Sequence, residues 1–157
     1  MPHIRLATLE DAPLITRQRH LMFADNGFGP PESLAAMDIE FAAWLRRHLP
    51  AGTYLGLLLS EDEGGEILAA AGIWLQDWPP HYLQPEPLRA YLLNFYTAPE
   101  ARGRGYAKLL LDTAVKLSRE RGAKVITLHA SKFGKPIYEA YGFKQSNELM
   151  LKDSASR

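Results

Sequence analysis

The sequence predicts an α+β fold, with helices packed around a mixed β-sheet. Two apolar runs, residues 54–59 and 67–75, are joined by the Gly-containing turn Glu61-Asp62-Glu63-Gly64-Gly65, which reads as an antiparallel pair. Two later runs, residues 91–97 and 125–130, flank an amphipathic helical stretch, and a helical crossover makes two strands parallel. Two further helical patterns lie between a short first strand and the hairpin, so the order reads βααβββαβαβ.

Taken in order, residues 4–7 form the first strand. Thr8 with Asp11 is a capping-box pattern, and the helix it opens carries Ala12, Leu14, Ile15, Leu21 and Met22 at helical spacing. Residues 24–32 hold Asn26-Gly27 and Pro30-Pro31 and read as a turn region. Ser33 is placed to cap a second helix, with Leu34, Met37, Phe41, Trp44, Leu45 and His48 on one face and Ala51-Gly52 at its end. After the hairpin, residues 77–89 form a loop with prolines at 79, 80, 85 and 87. Strand 91–97 is apolar on both faces except at Asn94. Past Pro99, the turn Arg102-Gly103-Arg104-Gly105 leads into a helix whose Ala107, Leu110, Leu111, Ala114 and Leu117 form one stripe. Residues 136–141 read as a short helix stopped by Gly142, and 143–151 as closing strands. Residues 1–157 are expected to form one domain, with a frayed polar tail at 152–157.

Composition narrows the function classes. Lysine plus arginine number 18 and aspartate plus glutamate 18, so net charge is zero, which argues against a bulk electrostatic footprint for nucleic acid or an anionic membrane. There is no cysteine, which excludes a disulfide scaffold, a Cys-zinc site and a cysteine nucleophile. The five histidines show no metal-binding spacing, so no metal is expected. The longest apolar stretch, residues 67–75, is far short of the ~20 residues a membrane span needs. No apolar segment follows the polar N-terminus, so the expectation is a cytoplasmic protein.

The most informative segment is Arg102-Gly103-Arg104-Gly105-Tyr106-Ala107, between an apolar strand and an amphipathic helix. A helix start offers unpaired N–H groups and the positive end of the macrodipole, and glycines let the backbone approach a ligand. Together they make a phosphate site, with Arg102, Arg104 and Lys108 adding local positive charge. The dinucleotide fingerprint fails because Lys108 stands where its third glycine belongs, and the Gly-Lys-Ser/Thr of a P-loop is absent. Taken alone, the turn could equally be a structural strand-to-helix connection.

The pattern Gln/Arg-x-x-Gly-x-Gly/Ala is met by Arg102, Gly105 and Ala107. With Leu93-Asn94-Phe95-Tyr96-Thr97-Ala98-Pro99-Glu100 before it and Ile137-Tyr138-Glu139-Ala140-Tyr141-Gly142-Phe143 after it, the chain resembles the GNAT superfamily of acetyl-CoA-dependent N-acetyltransferases over about residues 4–151. The resemblance implies a mixed, mostly antiparallel central sheet flanked by helices, with two splayed parallel central strands. It implies that the backbone of Gly103, Arg104, Gly105, Tyr106 and Ala107, beside Arg102, holds the CoA pyrophosphate. Phe95, Tyr96 and Thr97 would then pair with the pantetheine arm like an added strand. Acetyl-CoA is the implied cosubstrate and a small-molecule or peptide amine the implied acceptor.

Acetyl transfer needs a neutral amine, a stabilised oxyanion and help for the leaving thiolate. The resemblance makes Tyr138 the proton donor at the sulfur, against a packing role for its ring. Ser131 stands where asparagine is common in the family; it either contacts the pantetheine arm or caps the next helix. The splayed strand offers no carboxylate as base. His129, on the face of Thr127 and Ser131, is the candidate, with His81 and Tyr82 as alternatives to it and a packed strand histidine as the competing reading. Without cysteine, no acetyl-cysteine intermediate forms, which favours direct transfer.

The resemblance builds the acceptor cleft from the first two helices and the loop before the splayed strand, which here contain Phe23, Phe28, Met37, Phe41, Trp74, Trp78, His81 and Tyr82, with Asp25, Asp38, Glu40 and Asp77 among them. A CoA-binding regulator without turnover, or an interaction module, would share the fold. A homodimer is common in the family.

Overall fold

The computed structural model describes residues 1–153; most of the polar tail, expected to fray, lies outside the described residues. The elements run β1 (His3–Leu6), α1 (Ala12–Asp25), α2 (Pro31–Ala51), β2 (Tyr54–Ser60), β3 (Ala69–Gln76), β4 (Arg89–Thr97), α3 (Tyr106–Glu120), β5 (Ile126–Leu128) and α4 (Lys135–Tyr141). The sheet order is β1-β2-β3-β4-β5, antiparallel throughout except for the β4–β5 pair.

The capping box forms: the Asp11 carboxylate accepts the Thr8 N–H at 2.7 Å and both ends of the Arg5 fork at 2.9 Å. It caps the 3-10 turn Leu9–Asp11, which leads into α1. The second helix starts before Ser33. Pro31 supplies a preset φ at the first turn, and the N–H groups of Ser33 and Leu34 already donate to Pro30 O, so Ser33 sits inside α2 rather than capping it.

Two apolar layers cover the sheet. One joins Leu55, Leu57, Ile73 and Leu92 to Leu110, Leu111 and Val115 of α3. The other joins Tyr54, Leu58 and Ala70 to Ile15 of α1 and Phe41 and Leu45 of α2. The alternation along β2 and β3 feeds both layers, so neither strand has a solvent face.

β4 departs from this regularity at Asn94. Ala70 pairs with Tyr96 and Gly72 with Leu93, so Asn94 and Phe95 together oppose Ala71 alone, a β-bulge. Asn94 holds φ 60°, the one non-glycine with a left-handed backbone among the described residues. Its side chain is buried, donating to the Tyr54 hydroxyl at 2.9 Å and accepting from Arg19 Nη1 at 2.7 Å. Tyr54 reaches it across Gly72, where a Cβ would stand 2.2 Å from the Tyr54 oxygen. The extra residue shifts the pleat: Leu93 packs in the α1/α2 layer, whereas Phe95 packs in the α3 layer.

Beyond this point β4 and β5 part. Their pairing runs only from Ala90↔Ile126 to Leu92↔Leu128. β5 is therefore shorter than the expected 125–130, and it is the last strand of the sheet among the described residues. Residues 143–151, expected as closing strands, carry no strand, and Leu149 and Leu151 stay almost fully exposed. A three-residue β5 offers them almost no ladder to join. Tyr54→Phe is expected to lower stability by roughly 1–3 kcal/mol, because it strands the buried Asn94 amide. Urea unfolding checks this, and an unchanged midpoint would contradict it.

Candidate active site

α3 buries Leu110, Leu111, Ala114, Val115 and Ser118, which fixes its start against the end of β4. The turn between them closes through Gly103 at φ 82° and Gly105 at φ 81°, a conformation that strains any other residue. The backbone N–H groups of residues 103–108 meet no acceptor among the described residues, and the first helical bond runs from Leu109 N–H to Gly105 O at 3.1 Å. The positive end of the helix dipole adds to this run of free donors.

A cavity of about 890 Å³ opens at the turn, between the end of β4, α1 and α4. Phe95, Tyr96 and Thr97 line one side; Arg102, Gly103, Gly105, Tyr106 and Ala107 line the turn; Ser131 and Tyr138 line the far side. Of the cofactor-binding residues read from the sequence, only Arg104 is not in the lining. Its guanidinium pairs with Glu61 and donates to Glu100 O at 3.1 Å. Arg102 donates to Thr97 O and Asp25 Oδ2, both at 3.0 Å. The two arginines are thus largely neutralised, so the anion-attracting groups of the turn are its amides and Lys108, which lines the cavity and has no ion pair among the described residues.

Ser131 Oγ accepts the Gly134 N–H at 3.1 Å and so holds the turn before α4. Tyr138 packs edge-on against Phe95, ring centroids 5.6 Å apart, and against Phe143 at 6.1 Å. Burial pushes its phenol up to about 12. The hydroxyl therefore keeps its proton at neutral pH.

A second cavity of about 910 Å³ lies on the α1/α2 face and shares no lining residue with the first. β4 serves both: Tyr91 and Leu93 line the second, Phe95 to Thr97 the first, and the Asn94 bulge is the switch between them. Of the aromatic residues expected around an acceptor, Phe41, Trp74 and Trp78 line this cavity with Met37, whereas Phe23, Phe28, His81 and Tyr82 do not. His129 lines it too, so Tyr138 and His129 stand in different cavities. His129 Nδ1 contacts the Tyr91 hydroxyl and Nε2 the Glu148 carboxylate. Neither partner was legible in the sequence. Tyr91 reads as one more strand residue, and Glu148, 19 residues beyond His129, falls in the expected closing strands. Among the described residues no group of His, Cys, Asp and Glu could hold a metal ion, and no helix is long and apolar enough to cross a membrane.

Residues 19–143 match the model of the acetyltransferase (GNAT) family. The chain is similar to a GCN5-related N-acetyltransferase from Ralstonia eutropha JMP134, at 34% identity over 97% of this chain and 98% of that one, with a TM-score of 0.90. It is also similar to a predicted acetyltransferase from Clostridium acetobutylicum, solved with acetyl-CoA, at 30% identity over 100% and 99% of the two chains, with a TM-score of 0.88. Glucosamine-6-phosphate N-acetyltransferase from Arabidopsis thaliana shares the fold at 16% identity, 98% and 99% coverage and a TM-score of 0.68. No curated protein matches the sequence.

The half-buried Tyr138 phenol has a pH consequence. Between its ordinary 10.0 and about 12 the folded state keeps a proton that the unfolded chain has lost. Its contribution is complete below pH 10 and is lost as pH rises towards 12. Tyr138→Phe is expected to flatten that alkaline decline by up to about 1.4 kcal/mol per pH unit. Urea unfolding across this range measures it, and an identical decline in both proteins would contradict the burial.

Proposed function

The chain belongs to the acetyltransferase (GNAT) family and is an acyltransferase, and from that premise we propose that it moves an acetyl group from acetyl-CoA directly to a primary amine. The run of amides at residues 103–108 that meet no acceptor among the described residues, opening on the cavity that also holds Tyr138, carries this reading. Those donors, the helix dipole and Lys108 fit a pyrophosphate. On its β5 side β4 pairs only through Leu92, which leaves residues 95–97 an open edge for an extended pantetheine arm to join.

Bound acetyl-CoA supplies the activated thioester; the residues position it and manage protons. Tyr138, still protonated, donates a hydrogen bond to the sulfur as negative charge builds on it. GNAT enzymes act on small-molecule or peptide amines, and the second cavity receives that amine. His129 is the base, working through Tyr91. As the amine gives its proton to the Tyr91 oxygen, the Tyr91 proton passes to His129 Nδ1. The imidazolium then faces Glu148, which has fixed Nε2 as the protonated nitrogen beforehand.

Acetyl-CoA-dependent release of free thiol across a panel of amines tests the activity, and a CoA-binding protein with no release on any amine would contradict it. Gly105→Glu is expected to abolish CoA binding in calorimetry, because its side chain enters the cradle, while strain costs roughly 1–3 kcal/mol of stability without unfolding the protein. Undiminished affinity would exclude the cradle. Tyr138→Phe is expected to lower kcat about a hundredfold with CoA affinity nearly unchanged. His129→Gln is expected to lower kcat/KM about a hundredfold with CoA affinity nearly unchanged, and an unchanged kcat/KM would exclude His129.

A further inference from the structure

The second cavity contains two arginines that the transfer chemistry leaves without a task. Arg19 of α1 and Arg89 at the start of β4 both line it. Among the described residues neither has a carboxylate partner. The Nε of each is buried and unbonded. Arg19 spends Nη1 on Asn94 and lies 4.8 Å over the Phe41 ring; Arg89 lies 4.1 Å over Trp78. Aromatic faces hold the two guanidiniums in place and satisfy none of their N–H donors.

Arginine cannot shed its proton, so a desolvated guanidinium with free donors calls for an anion. The cavity also holds Glu40 and Glu148, Glu148 already engaged by His129. Cationic and anionic groups thus share an aromatic chamber, which matches a ligand carrying an amine and a carboxylate on an apolar body. We infer that the amine acceptor bears a carboxylate, in the manner of an amino acid, and that Arg19 and Arg89 bind it. Arg19 stands beside the Asn94 bulge and suits a carboxylate close to the amine; Arg89 stands five residues upstream on β4 and suits a distant one. This inference rests on the second cavity being the acceptor site.

The three tryptophans of the chain, Trp44, Trp74 and Trp78, all line this cavity, so intrinsic fluorescence reports its occupancy. Two matched pairs serve as probes, titrated in the presence of CoA: L-phenylalanine against phenethylamine, and 6-aminohexanoate against hexylamine. In at least one pair the carboxylate member is expected to bind about tenfold more tightly, and Arg89→Gln to erase the preference of the 6-aminohexanoate pair where that pair shows it. Arg89→Lys, which keeps the charge, should restore part of it. Equal affinity within both pairs, or no saturable signal from any probe, would overturn the inference. Failure of the acetyltransfer reading would show separately, as CoA that does not bind or as no thiol release from any amine.

Discussion

Asn94 holds a left-handed backbone in the middle of a strand, and two partners fix its side chain. Tyr54 reaches it from β2 over the gap left by Gly72, and Arg19 reaches it from α1. A left-handed conformation costs most non-glycine residues about 1–2 kcal/mol and asparagine less, and two hydrogen bonds, one buried and one charge-assisted, offset that cost. The bulge that results does three things. It shifts the pleat so that Phe95 joins the α3 layer, it ends pairing between β4 and β5 at Leu92, and it divides the residues of β4 between two cavities.

The two cavities have complementary chemistry because one strand supplies both. Downstream of Asn94, β4 delivers an open edge and leads through the glycine turn into the start of α3, where turn and helix start together leave the N–H groups of residues 103–108 without an acceptor among the described residues. Upstream it delivers Tyr91 and Arg89 to an aromatic chamber under α1 and α2. Net neutrality of the chain conceals this division. Arg102 and Arg104 are paired with Asp25 and Glu61, so the first cavity relies on backbone dipoles and Lys108. The second holds Arg19 and Arg89, which have no carboxylate partner among the described residues.

What the sequence makes legible is local. The stripe of α3, the glycine turn and the short helix ended by Gly142 depend on neighbours a few residues apart, and all three form. Asn94 stands out in the sequence as the polar residue in the middle of an apolar run. Its left-handed backbone depends on Tyr54 and Arg19, 40 and 75 residues away, and no pattern in β4 encodes them. The same holds for the contacts of His129, which join residues 38 and 19 positions apart. Two local readings fail because a competing local rule wins or a partner is missing. Pro31 starts α2 ahead of Ser33, and residues 143–151 have strand-like composition but only a three-residue neighbour to pair with.

We propose that the bulge at Asn94 opens the sheet for the thioester of acetyl-CoA while the amides before α3 hold its pyrophosphate. A crystal structure of the protein with acetyl-CoA tests both halves together. The expected result is the pyrophosphate on the amides of residues 103–107, the pantetheine arm along residues 95–97, and the sulfur within hydrogen-bond reach of the Tyr138 hydroxyl. Acetyl-CoA bound elsewhere, or bound with its thioester away from the gap beyond Leu92 and Leu128, would contradict it.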